Sequence, residues 1–373
     1  MSKAAELAKI GEATTSGQIG GRRNLVINGA MQVNQRGTID AANGNGFPVD
    51  RFKCTVAALD QLVAALSQDS SAPVGFANSL EIGISTVEDA LAANETFVLE
   101  TRLESQDLQQ VQKGTGTAKT MSLTFYVKSS VTGNYALQAL DSDNGRSVAF
   151  LYAISVADTW EKKSILIPAD TTGAFADDNG IGLSLVWFLA AGTNFTSGTL
   201  QSAWAGTTNA NLAVGHNVNI MANTDNNWSL TGVQLEVGSV ATPFEHRSFG
   251  EELAMCQRYF QKVSGASGAT HKRFARGHNI SATLNESNVY LSTEMRIFPA
   301  LQTTGTASHY AIYHAGSVTD ANGLPALNSA SDAGVGNSMA VQTTVGSGLT
   351  TGQGAALLAN NTVAAFLAFE SEL

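Results

Sequence analysis

Between residue 24 and about residue 247 the dominant period of apolar side chains is two, which suits strands. In residues 120–128, Met121, Leu123, Phe125 and Val127 alternate with Ser122, Thr124, Tyr126 and Lys128, the pattern of a half-buried strand. In residues 96–104, Phe97, Leu99 and Leu103 face one side, and Glu100, Arg102 and Glu104 the other. The same reading predicts strands at 79–85, 134–141, 147–154, 160–167, 181–190, 217–222 and 227–237, mostly separated by Gly, Asn or Asp turns. So many short strands in one run predict an all-β sandwich. In the last of them Trp228 and Leu230 share one parity and Val233, Leu235 and Val237 the other, so Gly232 marks a bulge.

Only 14% of residues are charged, against about 25% in an average domain. With 36 Gly and 6 Pro, the exposed faces are expected to be hydroxyl and amide. A net charge of -10 argues against nucleic acid, and the amino-terminal bases Lys3, Lys9, Arg22 and Arg23 are too sparse to reverse it. Cys54 and Cys256 fall in different predicted domains, which excludes a disulfide framework or a thiolate metal site; Cys256 reads as a small buried hydrophobe. No basic-then-apolar leader pattern opens the chain, and no apolar run approaches the ~18 residues of a membrane span. Synthesis in the cytoplasm without membrane insertion is the expectation.

The length of 373 residues predicts two or three domains, and the joint lies in residues 230–262. There a strand passes through a Pro-marked turn into a helix. Ser248 and Glu251 form a capping box, Glu251 and Glu252 stand at the positive end of the helix dipole, and Arg258 and Lys262 at the negative end. The spacing predicts about four turns. Phe249, Leu253, Cys256 and Phe260 form an apolar stripe that needs an adjacent domain or a second copy, and is the expected oligomer interface. Strands at 278–283, 287–296, 308–315, 338–345 and 362–370 then make a smaller β domain, interrupted by long polar stretches at 316–337 and 346–354. At the other end, residues 2–10 form a short helix and 14–21 a linker, either an attachment peg or a frayed terminus. The expected division is 1–22, 23–248 and 249–373.

The strings TGVQLEVGSVATPFEHRSFGEELAMCQRYFQK (231–262), RNLVINGAMQVNQRGT (23–38) and VDRF (49–52) resemble tail-fibre and related appendage proteins of bacteriophages, particularly marine and cyanobacterial ones. The resemblance implies that the sandwich is a jelly roll like a carbohydrate-binding module. It further implies a virion protein, a homotrimeric tail fibre joined to other virion proteins by its amino terminus and adhering to host surface polysaccharide through its carboxy-terminal domain, 249–373, as the receptor-binding tip. A head fibre or capsid decoration protein is the alternative, and a polysaccharide-degrading enzyme the third. Such jelly rolls often hold a structural Ca²⁺, for which no ligand is named here; no other cofactor is expected.

No catalytic signature is present: there is no Gly-x-Ser-x-Gly elbow, His-Glu-x-x-His or phosphate loop. A glycosidase needs only two carboxylates at the right separation, so hydrolysis stays open. Sugar rings lie on exposed aromatic faces. Trp187 shares parity with core residues and Trp160 caps the core, while Trp228 and above all Trp204, in a Gly- and Asn-rich stretch, are candidate platforms. In SHYAIYHA (308–315), His309 and Tyr313 face one way, and Tyr310 and His314 the other, a surface for receptor contact or subunit packing. The two histidines cannot share a metal within one chain.

Overall fold

The computed structural model describes residues 22–42, 45–58, 63–264, 271–328 and 336–373. The expected amino-terminal helix and the whole of its linker lie outside them. The chain divides into two units, residues 1–252 with Leu373, and residues 253–372. The division falls between Glu252 and Leu253, inside the helix Phe249–Gln257, where the sequence placed it ahead of Phe249.

The first unit is a two-sheet antiparallel sandwich. One sheet orders Ile39–Ala42, Val63–Asp69, Ser79–Thr86, Asn227–Val237, Met121–Ser129 and Glu161–Ile167. The other orders Ala205–Gly206, Arg146–Ile154, Gly133–Asp141, Ile181–Ala191, Thr96–Glu104, Phe52–Ala57 and Gly46–Val49. The chain repeatedly crosses from one sheet to the other, the connectivity of a jelly roll. Inward residues of both sheets meet in one core, with Phe125 edge-on to Trp187 at 5.7 Å and Tyr135 stacked on Tyr152 at 5.6 Å. Trp187 and Trp228 are fully buried there, so Trp228 is no platform. The bulge at Gly232 is present: the register slips between Thr231 and Gln234, φ is +63°, and a Cβ would lie 2.7 Å from the Phe76 ring.

Residues 217–222 are not a strand. Asn219 accepts from the Met221 N–H at 3.0 Å and starts a 3-10 turn, Ile220–Ala222, a local side-chain bond competing with sheet pairing. Ahead of it, Phe195, Leu212 and Ala213 cover Ala136, Val186 and Phe188 on the outer face of the second sheet.

The strings that carry the family resemblance form one structural lock. Asn24, buried, donates to Val233 O at 3.0 Å and accepts from the N–H groups of Val26 (3.0 Å) and Leu235 (3.1 Å). Glu245 accepts from the N–H groups of Arg23 (3.1 Å) and Asn24 (2.8 Å), and Arg247 donates to Val26 O at 3.1 Å and to Asn24 O. Asn28 ties Val33 to Asp50 through its carboxamide, and Asp50 accepts from Gln35. The wording is thus dictated by backbone satisfaction, since each buried N–H and C=O needs a partner. Gly29 belongs to it: a Cβ there would lie 2.1 Å from Val233 O, across the pair in which the Val233 N–H donates to Gly29 O at 2.9 Å. Gly29→Ala is expected to cost about 2 kcal/mol or more by forcing these backbones apart. Urea unfolding of the variant checks this; a loss below about 0.5 kcal/mol, the usual surface effect, would reject the close approach.

The capping box forms, with the Ser248 N–H donating to Glu251 at 3.0 Å and the Glu251 N–H to Ser248 Oγ at 3.4 Å. The helix nonetheless stops at Gln257, well short of four turns. Phe260 belongs to the next strand, Phe260–Ser264, which pairs with Phe366–Glu370, so this aromatic residue took a sheet partner over helical continuation. The expected interface stripe is therefore broken: Cys256 and Phe260 are buried, Leu253 is half-buried, and only Phe249, 57% exposed, leaves a large apolar side chain at the surface.

The second unit has more strands than expected. A three-stranded sheet orders Phe260–Ser264, Phe366–Glu370 and Ala300–Thr303. A seven-stranded sheet orders Ser317–Asp320, Tyr310–His314, Gly354–Ala359, Arg273–Asn279, Leu284–Tyr290, Ser338–Thr344 and Ala326–Leu327. Their core joins Leu367 and Phe369 to Ile312, Leu357 and Val341. The stretch 316–337, expected as a loop, holds two short strands, and its residues 329–335 lie outside the described set. The first arises because Ala315 (φ 49°) and Gly316 (φ 83°) make a two-residue hairpin turn, with His314 opposite Ser317.

Candidate functional site

A dense polar construction in the first unit is built at one end of the strand Gly133–Asp141. Lys113 follows a 3-10 turn, Ser105–Val111, and its side chain is almost wholly buried. Nζ donates to Asp141 Oδ2 at 2.5 Å, Gly173 O at 2.7 Å and Thr172 O at 2.9 Å, with Asp170 Oδ2 at 3.1 Å. Two rings flank it, Phe175 at 5.4 Å and Trp204 at 5.3 Å. Asp170 also takes the Arg146 guanidinium at 2.8 and 3.0 Å. Burial works to raise the Asp170 carboxyl, but hydrogen bonds from Arg146, Lys113 and the Thr172 N–H outweigh it and hold the group below its ordinary 3.8. Asn144 donates to Ala174 O at 2.9 Å, and Asp143 accepts from the Ala176 N–H at 2.9 Å. Successive peptides of residues 170–176 are thus pinned to the sheet end.

Two carboxylates and two carbonyls are an oxygen set of the kind Ca²⁺ takes. Here the ammonium of Lys113 stands among them, so this set does not fit a metal as well. Among the described residues no three His, Cys, Asp or Glu side chains gather as a metal site.

The pinned segment forms one wall of a cleft of about 300 Å³, lined by Gln109, Gln112, Thr115 and Thr117 with Leu108, Ala174 and Phe175. Gln109 spends its amide N–H groups on Ser105 O and Ala176 O. Gln112, Thr115 and Thr117 are exposed. The arrangement offers neutral amides and hydroxyls over a floor of buried Leu108 and Phe175 and the caged Lys113, which suits a polyhydroxylated ligand met by hydrogen-bonding groups.

The sequence candidates fall apart in space. Trp204 is half-buried against the core, its N–H donating to Pro168 O at 2.7 Å and its face turned to Lys113, so it walls the lysine centre and is no open platform. In the second unit Tyr310 is fully buried, its hydroxyl donating to Phe366 O at 2.7 Å and accepting from the Thr304 N–H at 3.0 Å, which leaves no surface for a receptor. His314 is buried beside it on the inward side, with Nε2 2.9 Å from Thr319 Oγ1. His309 sits in a 3-10 turn, Ala307–His309, with Nδ1 3.1 Å from Thr304 Oγ1. Tyr313 alone of the tyrosine pair faces outward, under the Arg273 guanidinium at 5.1 Å. Lys113 was missed because a lone lysine between turn residues carries no periodic signal; only the fold brings Asp141 and Asp170 to it.

No protein-family model and no curated protein matches the chain. Solved structures do. The enzymatically active domain of bacteriophage CBA120 tailspike protein 4 matches at 11% identity and a TM-score of 0.30, over 57% of this chain and 21% of that one. The CBM22-1 xylan-binding domain of Paenibacillus barcinonensis Xyn10C matches at 11% and 0.29, over 60% and 100%. The family 11 carbohydrate-binding module of the Clostridium thermocellum cellulase Lic26A-Cel5E matches at 10% and 0.26, over 57% and 98%. Likeness of this degree transfers neither ligand nor activity.

Proposed function

We propose that the chain is a non-catalytic glycan-binding subunit of a bacteriophage appendage, a tail fibre that adheres to host surface polysaccharide. The observation that carries glycan binding is the cleft of amides and hydroxyls beside Phe175, held rigid by the buried Lys113 cage. The segments that resemble phage appendage proteins support the virion assignment through the architecture they lock, and not through a ligand they touch. In this reading residues 1–22 join other virion proteins, and three copies on one fibre turn weak contacts into useful avidity.

Electrophoresis of the full-length protein through gels containing single neutral or acidic polysaccharides tests the proposal, with a reducing-end assay on the same mixtures. Retardation without release of reducing ends is expected. Each lost hydrogen bond is worth about 1 kcal/mol, so Gln112→Ala combined with Thr117→Ala should weaken neutral-glycan binding about tenfold or more. Retardation by no polysaccharide, or steady release of reducing ends, would overturn it.

A further inference from the structure

The outward face of the second unit's seven-stranded sheet carries an arrangement that strand periodicity alone would forbid. Along the strand Arg273–Asn279, simple alternation puts Arg273 and Arg276 on opposite faces. The register shows a bulge instead: Arg273 pairs with Leu358 and Ala275 with Leu357, leaving Phe274 as the extra residue. Phe274 and Ala275 both pack toward the core. Arg273, Arg276 and His278 consequently emerge together, all exposed. Bulges re-aim side chains in this way.

The register also places the neighbours. Arg276 stands between Ala356 and Asn288, and Tyr313 lies across Ala356 from it. The alanine methyl makes a low floor between a guanidinium and an aromatic ring. Arg273 stands over that ring, its Cζ 5.1 Å from the centroid. The carboxylate nearest in register, Glu286 opposite His278, is bound sideways by Asn328 Nδ2 at 2.7 Å and Gln342 Nε2 at 3.0 Å. Among the described residues neither arginine has an ion-pair partner. On this face of a chain of net charge -10 the two guanidiniums and the imidazole stand with two carboxylates already engaged by amides, Glu286 and, across Leu358 and Ala311 from Arg273, Asp320, which accepts from Asn360 Nδ2 at 3.1 Å.

We propose that this face binds an acidic glycan, with Arg273 and Arg276 holding its carboxylate or sulfate groups and Tyr313 meeting a sugar ring over Ala356. The inference rests on the glycan-binding reading above and names a ligand class for a second site. Guanidinium forks match planar carboxylate and sulfate oxygens. A nucleic acid would need a longer cationic track to follow its phosphates, which this face lacks.

The test uses the full chain on immobilised alginate (a polyuronate), carrageenan (a sulfated galactan), dextran and single-stranded DNA, at low and high salt. Retention on alginate, carrageenan or both, released by salt, is expected, and which of the two holds the chain identifies carboxylate or sulfate. Arg276→Ala and Arg273→Ala should each weaken that retention about tenfold. Arg276→Lys, which keeps charge without the fork, should recover only part of it. Retention on DNA in preference to both acidic glycans overturns the proposal, as does acidic-glycan binding that survives both arginine substitutions. If dextran retains the chain and Gln112→Ala with Thr117→Ala abolishes this while the arginine variants change nothing, the first-unit reading stands and this one falls. Retention on no glycan removes both.

Discussion

Lys113→Met should lower the unfolding free energy of the first unit by about 3–5 kcal/mol, the cost of leaving a buried charge without its partner. Asp141 and the Lys113 side chain are both essentially sealed from water, and Asp170 is nearly so. Removing the ammonium leaves two carboxylates facing each other beside the Thr172 and Gly173 carbonyls, which accept from it in the wild type. Arg146 still engages Asp170, but nothing replaces the short bond to Asp141 beyond Asn144, whose N–H groups reach it at 3.0–3.2 Å. For a unit of this size the loss corresponds to a fall in melting temperature of roughly 10 °C. Adding Asp141→Asn to Lys113→Met removes the orphaned charge and should recover part of it. Differential scanning calorimetry of the single and double variants decides the matter. A single-variant loss under about 1 kcal/mol would show that the cage is solvated like a surface pair.

Stability of the same unit should fall on acidification in two stages, the first set by His216. Burial pushes this imidazole from 6.5 down to about 4, against a smaller opposing effect of the Val218 backbone. Its Nδ1 accepts from the Ala136 N–H at 3.2 Å, a bond that protonation at Nδ1 destroys. Between pH 6.5 and about 4 the unfolded chain therefore binds a proton that the folded chain refuses, and stability drops as pH falls through that window. The full drop is about 3 kcal/mol. Asp170 and Glu245 give the second stage. For Glu245, burial raises the carboxyl, but the Asn24 and Arg23 N–H groups and nearby arginines hold it below its ordinary 4.5. A depressed carboxyl contributes fully above its unfolded value and loses that contribution as pH falls through the folded one, so this stage lies below pH 4.5 for Glu245 and below 3.8 for Asp170. Urea titrations at steps from pH 7 to pH 3 should show both stages. His216→Gln, which can still accept from Ala136, should abolish the first and spare the second; an unchanged slope between pH 6.5 and 4.5 would refute the assignment.

Much of the architecture was legible because it rests on local rules. The alternation in residues 120–128 became the strand Met121–Ser129, Gly232 became a bulge, and Ser248 with Glu251 became a capping box, since pleat, backbone conformation and cap chemistry act within a few residues. The candidate sites were far less legible. The helix was overextended because Phe260 satisfies a helical stripe in sequence yet met a strand partner, Phe366–Glu370, from the far end of the chain. Tyr310 and Trp204 were chosen as aromatics in polar surroundings, but burial depends on which sheet face is covered, and their polar atoms found Phe366 O and Pro168 O.

By itself, then, the sequence determined the class of fold, through side-chain parity and turn chemistry, and a surface of amides and hydroxyls under a net negative charge. Only the tertiary structure decided where charge and aromatic faces converge. Lys113 meets Asp141 and Asp170 through loop packing, and Arg273 joins Arg276 through one extra residue in a strand. The physical reason is range: parity is a property of neighbouring residues, whereas a binding surface is assembled from side chains whose proximity is set by sheet register, and a slip of one position reverses the face each of them shows.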